Sequence, residues 1–453
     1  MSPTWTKSAL FQSPQRSFLF RLTRSPSYYQ TQATDGPLTS LPKIAFLNRC
    51  YWPDSEATGQ LLTQLCERLT KDFEVHVVCG QPNSPYAGAE YLKTGVELRD
   101  GVHMHRLAHT QFAKRVPAGR IINLVSFSRA ASRYLRKVNL QPDILVSETD
   151  PFLLPIVAAK HAKRTGSKLV CYLQDIYPDV AEAIGKVGEG FVTRQIRSRL
   201  KASYDAADRV IVLGSCMRDR LQANPWSLDA AKVRIVPNWA DCSSIRPLPI
   251  KENPFRQREE LADRFVVMHS GNMGLTQRLN VLIQATQKEA WPENAILLLV
   301  GDGASKNDLQ ALSAALAKPQ RVRFLSYQPR EKLAESLSAA DLHVVSMHEN
   351  ITGCLCPSKM YGILAAGRPL LAIAGEETDL CQTVARHRVG WCCEPGQDEA
   401  IAAAVAKAAC CRSDRDTMGT RARELALANF DREVVMQQFA DVLWELTDKK
   451  IER

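Results

Sequence analysis

Long apolar runs and spaced cysteine pairs are missing from this sequence. No stretch contains the roughly 18 consecutive apolar residues that a membrane-spanning helix requires. The 13 cysteines include no C-x-x-C pair and no zinc-site spacing. Their closest groupings are Cys354/Cys356, Cys392/Cys393 and Cys410/Cys411. We therefore expect free thiols, a reducing compartment such as the cytoplasm, and no metal site.

The sequence also lacks the motifs that identify several other nucleotide-binding classes. No strand pattern is followed by the full G-x-G-x-x-G fingerprint of dinucleotide-dependent oxidoreductases, and no Walker A lysine and serine follow a glycine-rich loop. The loops discussed below contain no D-x-D-type metal motif, and no nucleic-acid-binding module is recognisable. An oxidoreductase and a nucleic-acid-binding protein are therefore the weakest interpretations.

Acidic residues are nearly absent from residues 1–40, where Asp35 is the only one. The segment is basic and rich in Ser, Thr, Gln and Pro, without the continuous apolar stretch of a secretory signal. It fits a disordered tail, a targeting segment, or residues read from too early a start codon. We therefore treat it as separate from the folded domains.

The rest of the composition is typical of a globular protein with two domains. Hydrophobic residues make up 45% and charged residues 23%, and 453 residues exceed the roughly 100–200 of one ordinary domain. The net charge of +10 favours acidic partners such as nucleotides, nucleic acid or an anionic membrane. Solubility alone explains this charge equally well.

Buried strand patterns alternate with helical patterns twice along the chain. This predicts an α/β fold with two Rossmann-like, doubly wound domains that face each other across a cleft. Predicted strands are 43–49, 74–79, 143–146, 168–173 and 209–213, then 265–269, 295–300, 322–325, 342–345 and 369–373. The expected boundaries are a first domain at 41–240, a proline-containing linker at 241–258, a second domain at 259–430 and a final helix at 431–453. Candidate site residues follow the carboxyl ends of the strands, where such sheets bind ligands.

Two motifs of the first domain carry candidate site residues. Gly59 is expected just before the first helix, where backbone N–H groups can approach an anion, although a plain turn is the alternative. In the stretch Tyr172–Ala181, Gln174 and Asp175 are expected to face the cleft and hold an acceptor or sugar. Asp179 is expected to cap the next helix.

Three motifs of the second domain follow predicted strands. Gly271 or Asn272 is a candidate phosphate contact, and Asp302 either binds a hydroxyl group or caps a helix. Ser358 suits an N-cap, and Lys359 then lies in the first turn of a helix, where the macrodipole disfavours a cation. An anion bound beside Lys359 explains that placement, and a solvated lysine is the alternative.

Taken in this order, five stretches resemble one family of enzymes. They are YWPDSEATGQ, LQDIYPDVA, HSGNMGLTQ, VGDGASKNDL and CPSKMYGILAAGRPLLAI. They are similar to retaining glycosyltransferases of the GT4 type with a GT-B fold, especially bacterial colanic acid and O-antigen enzymes, fucosamine transferases included. The resemblance implies a hexosyltransferase that moves sugar from a nucleotide diphosphate sugar, a UDP-sugar favoured, to a glycan or lipid-linked acceptor with retention. It implies no cofactor.

The resemblance also implies a role for each matching residue. The first domain would be the acceptor side and the second would bind the nucleotide sugar, with the final helix packing back on the first domain. Asp175 would face the sugar or acceptor, and Gly59 would close over the phosphates. The donor-binding residues implied are Gly271, Asn272, Gln277, Gly301, Asp302, Gly303, Tyr327, Ser358 and Lys359. Lys359 and fixed N–H donors would stabilise the leaving diphosphate without a metal.

The sequence departs from the family pattern at four positions. The two glutamates common in GT4 enzymes are replaced by Cys354 and Gly362, and the usual Arg and Lys of the second motif by Asn272 and Gln277. These differences indicate a subfamily. A sugar-nucleotide epimerase of the same fold and a degenerate, non-catalytic binding protein are the alternatives.

Residues 112–137 combine basic and apolar residues at helical spacing. Such a helix can lie on an anionic membrane, which fits an enzyme peripheral to the inner face of the membrane with a lipid-linked acceptor. An ordinary surface helix packed on its own sheet is the alternative.

Overall fold

The computed structural model describes residues 41–54, 57–82, 92–112 and 117–447. The expectation for residues 1–40 lies outside these ranges, as does the end of the predicted final helix beyond residue 447. Thirteen cysteines are free thiols. Within the described ranges, no helix is both long and apolar enough to cross a membrane.

The first domain is built on a sheet of eight strands. Their order is β3-β4-β2-β1-β5-β6-β7-β8, and every neighbouring pair is parallel except β3 and β4. The strands are β1 Lys43–Leu47, β2 Glu74–Cys79, β3 Gly95–Arg99, β4 Val102–Arg106, β5 Ile144–Ser147, β6 Lys168–Tyr172, β7 Arg209–Val212 and β8 Val233–Ile235. The helices are α1 Ala57–Leu69, α2 Pro117–Lys137, α3 Leu154–Thr165, α4 Asp179–Ala183, α5 Phe191–Asp205 and α6 Ser215–Gln222.

The second domain is built on a parallel sheet of six strands in the order β11-β10-β9-β12-β13-β14. The strands are β9 Phe265–Ser270, β10 Ala295–Val300, β11 Val322–Leu325, β12 Leu342–Ser346, β13 Leu370–Ile373 and β14 Gly390–Cys393. The helices are α7 Pro254–Arg258, α8 Leu279–Ala285, α9 Lys306–Ala314, α10 Leu333–Ser338, α11 Lys359–Ala365, α12 Asp379–His387, α13 Asp398–Cys410 and α14 Arg412–Leu425. The predicted α/β class with two doubly wound sheets is confirmed.

In both sheets the chain starts near the centre and winds outward in two directions. It reverses between β1 and β5 in the first sheet and between β9 and β12 in the second. Loops diverge at these reversal points and leave a crevice beyond the carboxyl ends of the strands. The candidate site residues are therefore expected in this crevice of each domain.

Strands β8 and β14 were not predicted from the sequence. Neither were β3 and β4. They form a hairpin around Asp100 and Gly101, which have φ of +47° and +80°. Positive φ at both turn residues is the geometry that Asp-Gly favours in tight hairpins. Val96 and Leu98 on β3 are exposed, so the strand lacks the buried pattern by which the others were recognised.

The last helix, α15 (Arg432–Trp444), lies in the core of the first domain. The ring of Phe439 is 6.2 Å from that of Phe46 on β1 and 5.1 Å from that of Tyr172 on β6. Immediately before this helix, Asp431 forms a β-bridge with Ala240. The end of the chain thus stabilises the domain in which the chain begins.

Candidate active site

Glycine-containing loops follow two neighbouring strands of the second sheet. Gly271 comes after β9 with φ of +129°, and Gly301 after β10 with φ of +138°. A Cβ atom on Gly301 would lie 2.1 Å from the carbonyl oxygen of Gly271, and one on Gly303 would lie 2.5 Å from that of Met273. Only glycine fits these positions, because the two loops pack backbone against backbone.

Lys359, the first residue of α11, lies across the two loops that contain Gly271 and Gly301, which together form a glycine platform. A Cβ atom on Gly271 would lie 2.7 Å from Cε of Lys359, so the lysine stem lies directly over Gly271. Burial lowers the pKa of Lys359 to about 8. Among the described residues, no carboxylate or hydrogen-bond acceptor is paired with its amino group. The structure therefore holds an unpaired, partly buried cation at the carboxyl end of β9.

Beneath this platform, His269 on β9 is fully buried. Burial lowers its pKa to about 3, and the nearby charge of Lys359 contributes to the shift. His269 is therefore neutral at physiological pH and adds no charge to the site.

The two candidate ligand-binding side chains of the β9 loop, Asn272 and Gln277, have different environments. Gln277 accepts a hydrogen bond from the N–H of Gly274 (2.7 Å) and donates one to Oγ1 of Thr276 (2.8 Å), so its amide closes the loop. Asn272 is exposed. Of the two, Asn272 presents its side chain more freely to a ligand.

Asp302 and Tyr327 lie together beyond β10 and β11. The Tyr327 hydroxyl is 3.4 Å from the carbonyl oxygen of Asp302, and 56% of Tyr327 is exposed. The carboxylate of Asp302 accepts from the N–H of Gly303 at 2.8 Å. The exposed tyrosine ring offers a flat apolar surface next to the glycine loops.

Two expectations about helix starts were wrong. Ser358 occupies the position before α11, but its φ and ψ of −60° and −19° are helical, and its side chain makes no capping bond. An N-cap needs extended backbone to aim its oxygen at the helix N–H groups. Gly59 lies inside α1, which begins at Ala57, and not before the helix.

Gly59 packs against its own domain. A Cβ atom there would lie 3.2 Å from Cβ of Asp54 and 3.3 Å from Cβ of Cys50. Glycine at this position lets α1 approach the loop that follows β1.

In the first domain, charged residues gather where β1 and β5 diverge. Arg49 donates to both oxygens of Asp150 at 3.0 and 2.9 Å. Glu148 is 1% exposed, its Oε2 has no hydrogen-bond partner, and burial raises the pKa of its carboxyl group well above the usual value. None of these three residues was predicted from the sequence, although polar residues directly after buried strands were the available signal.

Asp175 lies between the two domains. It forms a β-bridge with Leu355, and the N–H of the next residue, Ile176, donates to the carbonyl oxygen of Cys354 at 2.8 Å. Burial, with a smaller contribution from Asp150, raises the pKa of Asp175 to about 6. Asp175 is thus placed beside the loop that leads to Lys359.

Asp179 does not cap α4 as expected, because Pro178 occupies the cap position and Asp179 is the first helical residue. Its buried carboxylate instead accepts from Arg197 (3.0 Å), Arg220 (2.8 Å) and the indole of Trp226 (3.0 Å). Arg220 also donates to the carbonyl oxygen of Thr352 in the second domain at 3.1 Å. This carboxylate therefore organises the contact between the domains.

A second contact between the domains involves Asp379, at the start of α12. Its carboxylate accepts from the backbone N–H groups of Ser215 (2.9 Å) and Cys216 (3.0 Å), at the start of α6. A helix start in the first domain is thus satisfied by a side chain of the second.

Known proteins share both the sequence pattern and the fold. Residues 57–239 match the family model described as glycosyl transferase 4-like domain, and residues 251–425 match glycosyl transferases group 1. This chain is a glycosyltransferase of the GT4 type. The resemblance inferred from the five sequence stretches is therefore confirmed.

Two curated bacterial proteins are among the relatives of this glycosyltransferase. It is 26% identical over 301 residues to the probable glycosyltransferase WbjE of Pseudomonas aeruginosa, covering 66% of this chain and 73% of WbjE. It is also 26% identical over 412 residues to the "putative colanic acid biosynthesis glycosyl transferase" WcaI of Escherichia coli, covering 88% of this chain and 98% of WcaI.

Solved structures show the same GT-B architecture. Sucrose-phosphate synthase from Thermosynechococcus elongatus superposes with a TM-score of 0.69 at 19% identity, covering 89% of this chain and 99% of that one. Anabaena HepE in complex with UDP superposes with a TM-score of 0.67 at 17% identity, covering 89% and 100%. At these identities the similarity establishes the fold.

Proposed function

We propose that the second domain binds a nucleotide diphosphate sugar, a UDP-sugar favoured, and that the enzyme transfers the sugar to a glycan or lipid-linked acceptor in polysaccharide biosynthesis. The observation that carries this proposal is the unpaired Lys359 amino group over the backbone of Gly271. A desolvated cation without a carboxylate partner is complementary to an anionic ligand. The relationship to WcaI and the UDP complex of HepE support the same substrate class.

Lys359 would act where charge develops during the reaction. As the glycosidic bond of the donor breaks, negative charge accumulates on the leaving diphosphate. A fixed cation and exposed backbone N–H groups in a partly dry site stabilise that charge without reorganising. With a pKa of about 8, Lys359 is mostly protonated at pH 7 and can perform this role.

Asp175 is our candidate for the acceptor side of the reaction. Its pKa of about 6 leaves it mostly ionised at pH 7, so its carboxylate can accept a hydrogen bond from an acceptor hydroxyl. Attack on the face that the diphosphate leaves would give the retention of configuration implied by the family. No side chain is assigned as a covalent nucleophile.

The two positions where other GT4 enzymes carry glutamates have structural surroundings here. Cys354 is fully buried and its backbone contacts Ile176 of the first domain. A Cβ atom on Gly362 would lie 3.4 Å from Leu337. We infer that donor recognition in this subfamily relies on the glycine loops and Lys359 rather than on that glutamate pair.

Ligand-induced thermal stabilisation tests the donor site. The melting temperature of the purified protein is measured with UDP, GDP, ADP and TDP in turn. A ligand at about 100 times its Kd adds about 2.7 kcal/mol of stability, which such a measurement detects. We expect one diphosphate to raise the Tm and Lys359→Gln to abolish the rise. A folded protein that responds to none of them would favour the degenerate binding protein.

Product analysis separates the transferase from the epimerase. A transferase releases the nucleoside diphosphate together with a glycosidic product when an acceptor is present. An epimerase leaves the sugar attached to the nucleotide and changes only its configuration. Intact donor with inverted sugar stereochemistry would overturn the transferase proposal.

We also propose that α2 contacts an anionic membrane that carries the acceptor. Ile121 and Ile122 are 63% and 47% exposed, and they line one groove together with Arg129 and Arg133. Exposed apolar residues beside cations are suited to the boundary between lipid headgroups and acyl chains.

Vesicle co-sedimentation tests this surface of α2. Binding should require anionic lipid, weaken with salt, and decrease in an Ile121→Ser, Ile122→Ser double variant. The matched control is Val96→Ser, Leu98→Ser, which removes an equally exposed apolar pair from β3 of the same domain. Equal losses in both double variants would contradict a specific role for α2.

A further inference from the structure

Two histidines and a glutamate lie together on one face of the first sheet. His76 on β2 and His103 on β4 are direct register partners, and Glu74 precedes His76 by two residues on the same face. One ligand atom from each of the three side chains lies within 4.8 Å of the others. The three residues come from two different strands and include no cysteine. The spacing of the cysteines in the sequence therefore gave no indication of this cluster.

The chemistry of the cluster suits a transition metal. The rings of His76 and His103 are 4.6 Å apart and nearly parallel, and Nε2 of His76 is 2.9 Å from Oε1 of Glu74. Imidazole nitrogens and a carboxylate are the ligands that zinc takes in many protein sites.

A chain of hydrogen bonds behind the cluster orients His76. Its Nδ1 is 2.9 Å from Nε2 of His105, and Nδ1 of His105 is 2.6 Å from the hydroxyl of Tyr134 on α2. With a metal on Nε2, His76 carries its proton on Nδ1 and donates it to His105, which in turn donates to Tyr134. Such outer hydrogen bonds fix the tautomer and raise the basicity of a metal-bound histidine.

We propose that Glu74, His76 and His103 bind one divalent transition-metal cation, with zinc as the best fit. A metal binds in the plane of each imidazole, and the two rings are nearly parallel, so the partly exposed His103 and Glu74 side chains must rotate to share one metal with His76. The site lies toward the amino end of β2, whereas the donor loops follow the carboxyl ends of the second sheet. It is independent of the donor-site proposal.

Lys43 forms an ion pair with the carboxylate of Glu74 when no metal is bound, and this pair offers a sharper test of the proposal. Its Nζ is 3.1 Å from Oε1 of Glu74. A bound cation must displace this ammonium group or share Glu74 with it. Removing the lysine charge should therefore strengthen metal binding at Glu74.

Cobalt(II) titration of the full chain tests the site, with zinc competition as a second measurement. Cobalt is chosen because its absorption spectrum distinguishes the ligands. Binding by a free cysteine gives a thiolate-to-metal charge-transfer band, whereas nitrogen and oxygen ligands give only weak ligand-field bands. We expect one equivalent to bind without the charge-transfer band. His103→Ala should abolish this binding, and His387→Ala, an exposed histidine outside the cluster, should leave it unchanged.

Two further variants keep the test decisive if His103→Ala does not fold. Lys43→Gln should tighten cobalt binding severalfold, and Tyr134→Phe should weaken it by about tenfold, the usual loss for an outer hydrogen bond. Lys359→Gln should bind cobalt as the wild type does, so failure of the donor site would not affect this result. Binding that survives His103→Ala, or that shows thiolate ligation, would overturn the proposal.

Discussion

The carboxyl-end edges of the two sheets differ in how their charges are satisfied. At the first-domain edge, Arg49 is paired with Asp150, and Asp179 accepts from Arg197 and Arg220. At the second-domain edge, glycine backbones surround Lys359, which has no such partner among the described residues. Apart from Glu148, whose Oε2 has no hydrogen-bond partner, the first-domain edge thus ends in paired charges, whereas the second-domain edge ends in an unpaired cation.

This difference separates structural charges from ligand-binding ones. A buried ion pair already satisfies its own charges, and breaking it leaves an uncompensated charge that destabilises the fold. A buried cation without a partner costs stability in the free protein and gains from binding an anion. The contrast therefore predicts loss of stability at the first edge and loss of function at the second.

Breaking the network at Asp179 should have the largest effect. Asp179→Ala leaves Arg220 and the indole N–H of Trp226 without their carboxylate, and we expect the free energy of unfolding to fall by about 3–5 kcal/mol. Urea denaturation measures this loss. Asp219→Ala, which removes an exposed carboxylate on neighbouring α6, is the control and should change stability by less than about 0.5 kcal/mol.

The second prediction concerns Lys359, where function and stability should separate. Lys359→Gln should lower the rate of sugar transfer by about 10²–10³, the usual loss when one fixed group stabilising developing charge is removed. The free energy of unfolding should not fall, because the variant no longer buries an unpaired charge. Initial rates of nucleotide release and urea denaturation measure the two effects.

Lys407→Gln is the matched control for Lys359→Gln, because Lys407 is an exposed lysine of α13. It should leave both quantities unchanged. A Lys359→Gln enzyme that keeps its rate but loses stability would reverse the assignment, making Lys359 structural and the second-domain edge no different from the first.

The third prediction sharpens the contrast through pH. Burial depresses the pKa of Lys359 to about 8, so the charge that attracts a diphosphate is present below that pH and is lost as the pH rises through it. We expect the affinity for the diphosphate to fall by about tenfold between pH 7 and pH 9. Calorimetric titration measures it, and Lys359→Arg should flatten the dependence because guanidinium stays charged. An equally steep decline in that variant would assign the titration to another group.

Local patterns were sufficient to predict most of the fold. Continuous apolar runs such as Ala295–Val300 identified buried parallel strands, and their alternation with helices predicted two doubly wound sheets. The hairpin of β3 and β4 escaped because its exposed valine and leucine break that rule, although Asp100-Gly101 was a usable turn signal. The edge strands β8 and β14 were also missed. The bounds of the predicted strands shifted by one or two residues, as at Leu342–Ser346.

The site was less predictable, because its properties depend on contacts between distant residues. The sequence placed Lys359 in a helix start, but only the packing over Gly271 reveals that it is desolvated. Asp179 was predicted to be a helix cap, because no local sequence pattern indicates that Arg197 and Trp226 donate hydrogen bonds to it. The cluster around His76 depends on strand register, which a single sequence does not specify.

The smallest expected effect belongs to Gly59, and it tests whether the first domain contributes to phosphate binding. Gly59→Ala adds a methyl group 3.2–3.3 Å from Cβ atoms of Asp54 and Cys50. The tight contact opposes the gain of about 1 kcal/mol that alanine brings to a helix, so the free energy of unfolding should change by less than about 1 kcal/mol. Since these nearest contacts lie within its own domain, the diphosphate affinity should stay the same.

Gly301→Ala, a substitution of the same kind in the second domain, is the control for Gly59→Ala. Gly301→Ala forces a Cβ atom to 2.1 Å from the carbonyl oxygen of Gly271 at a φ of +138°, so it must displace the loop under Lys359 and weaken diphosphate binding. If Gly59→Ala weakened binding as much as Gly301→Ala, the first-domain edge would share the phosphate with the second. The contrast between an edge of largely paired charges and a ligand-binding edge would then have to be abandoned.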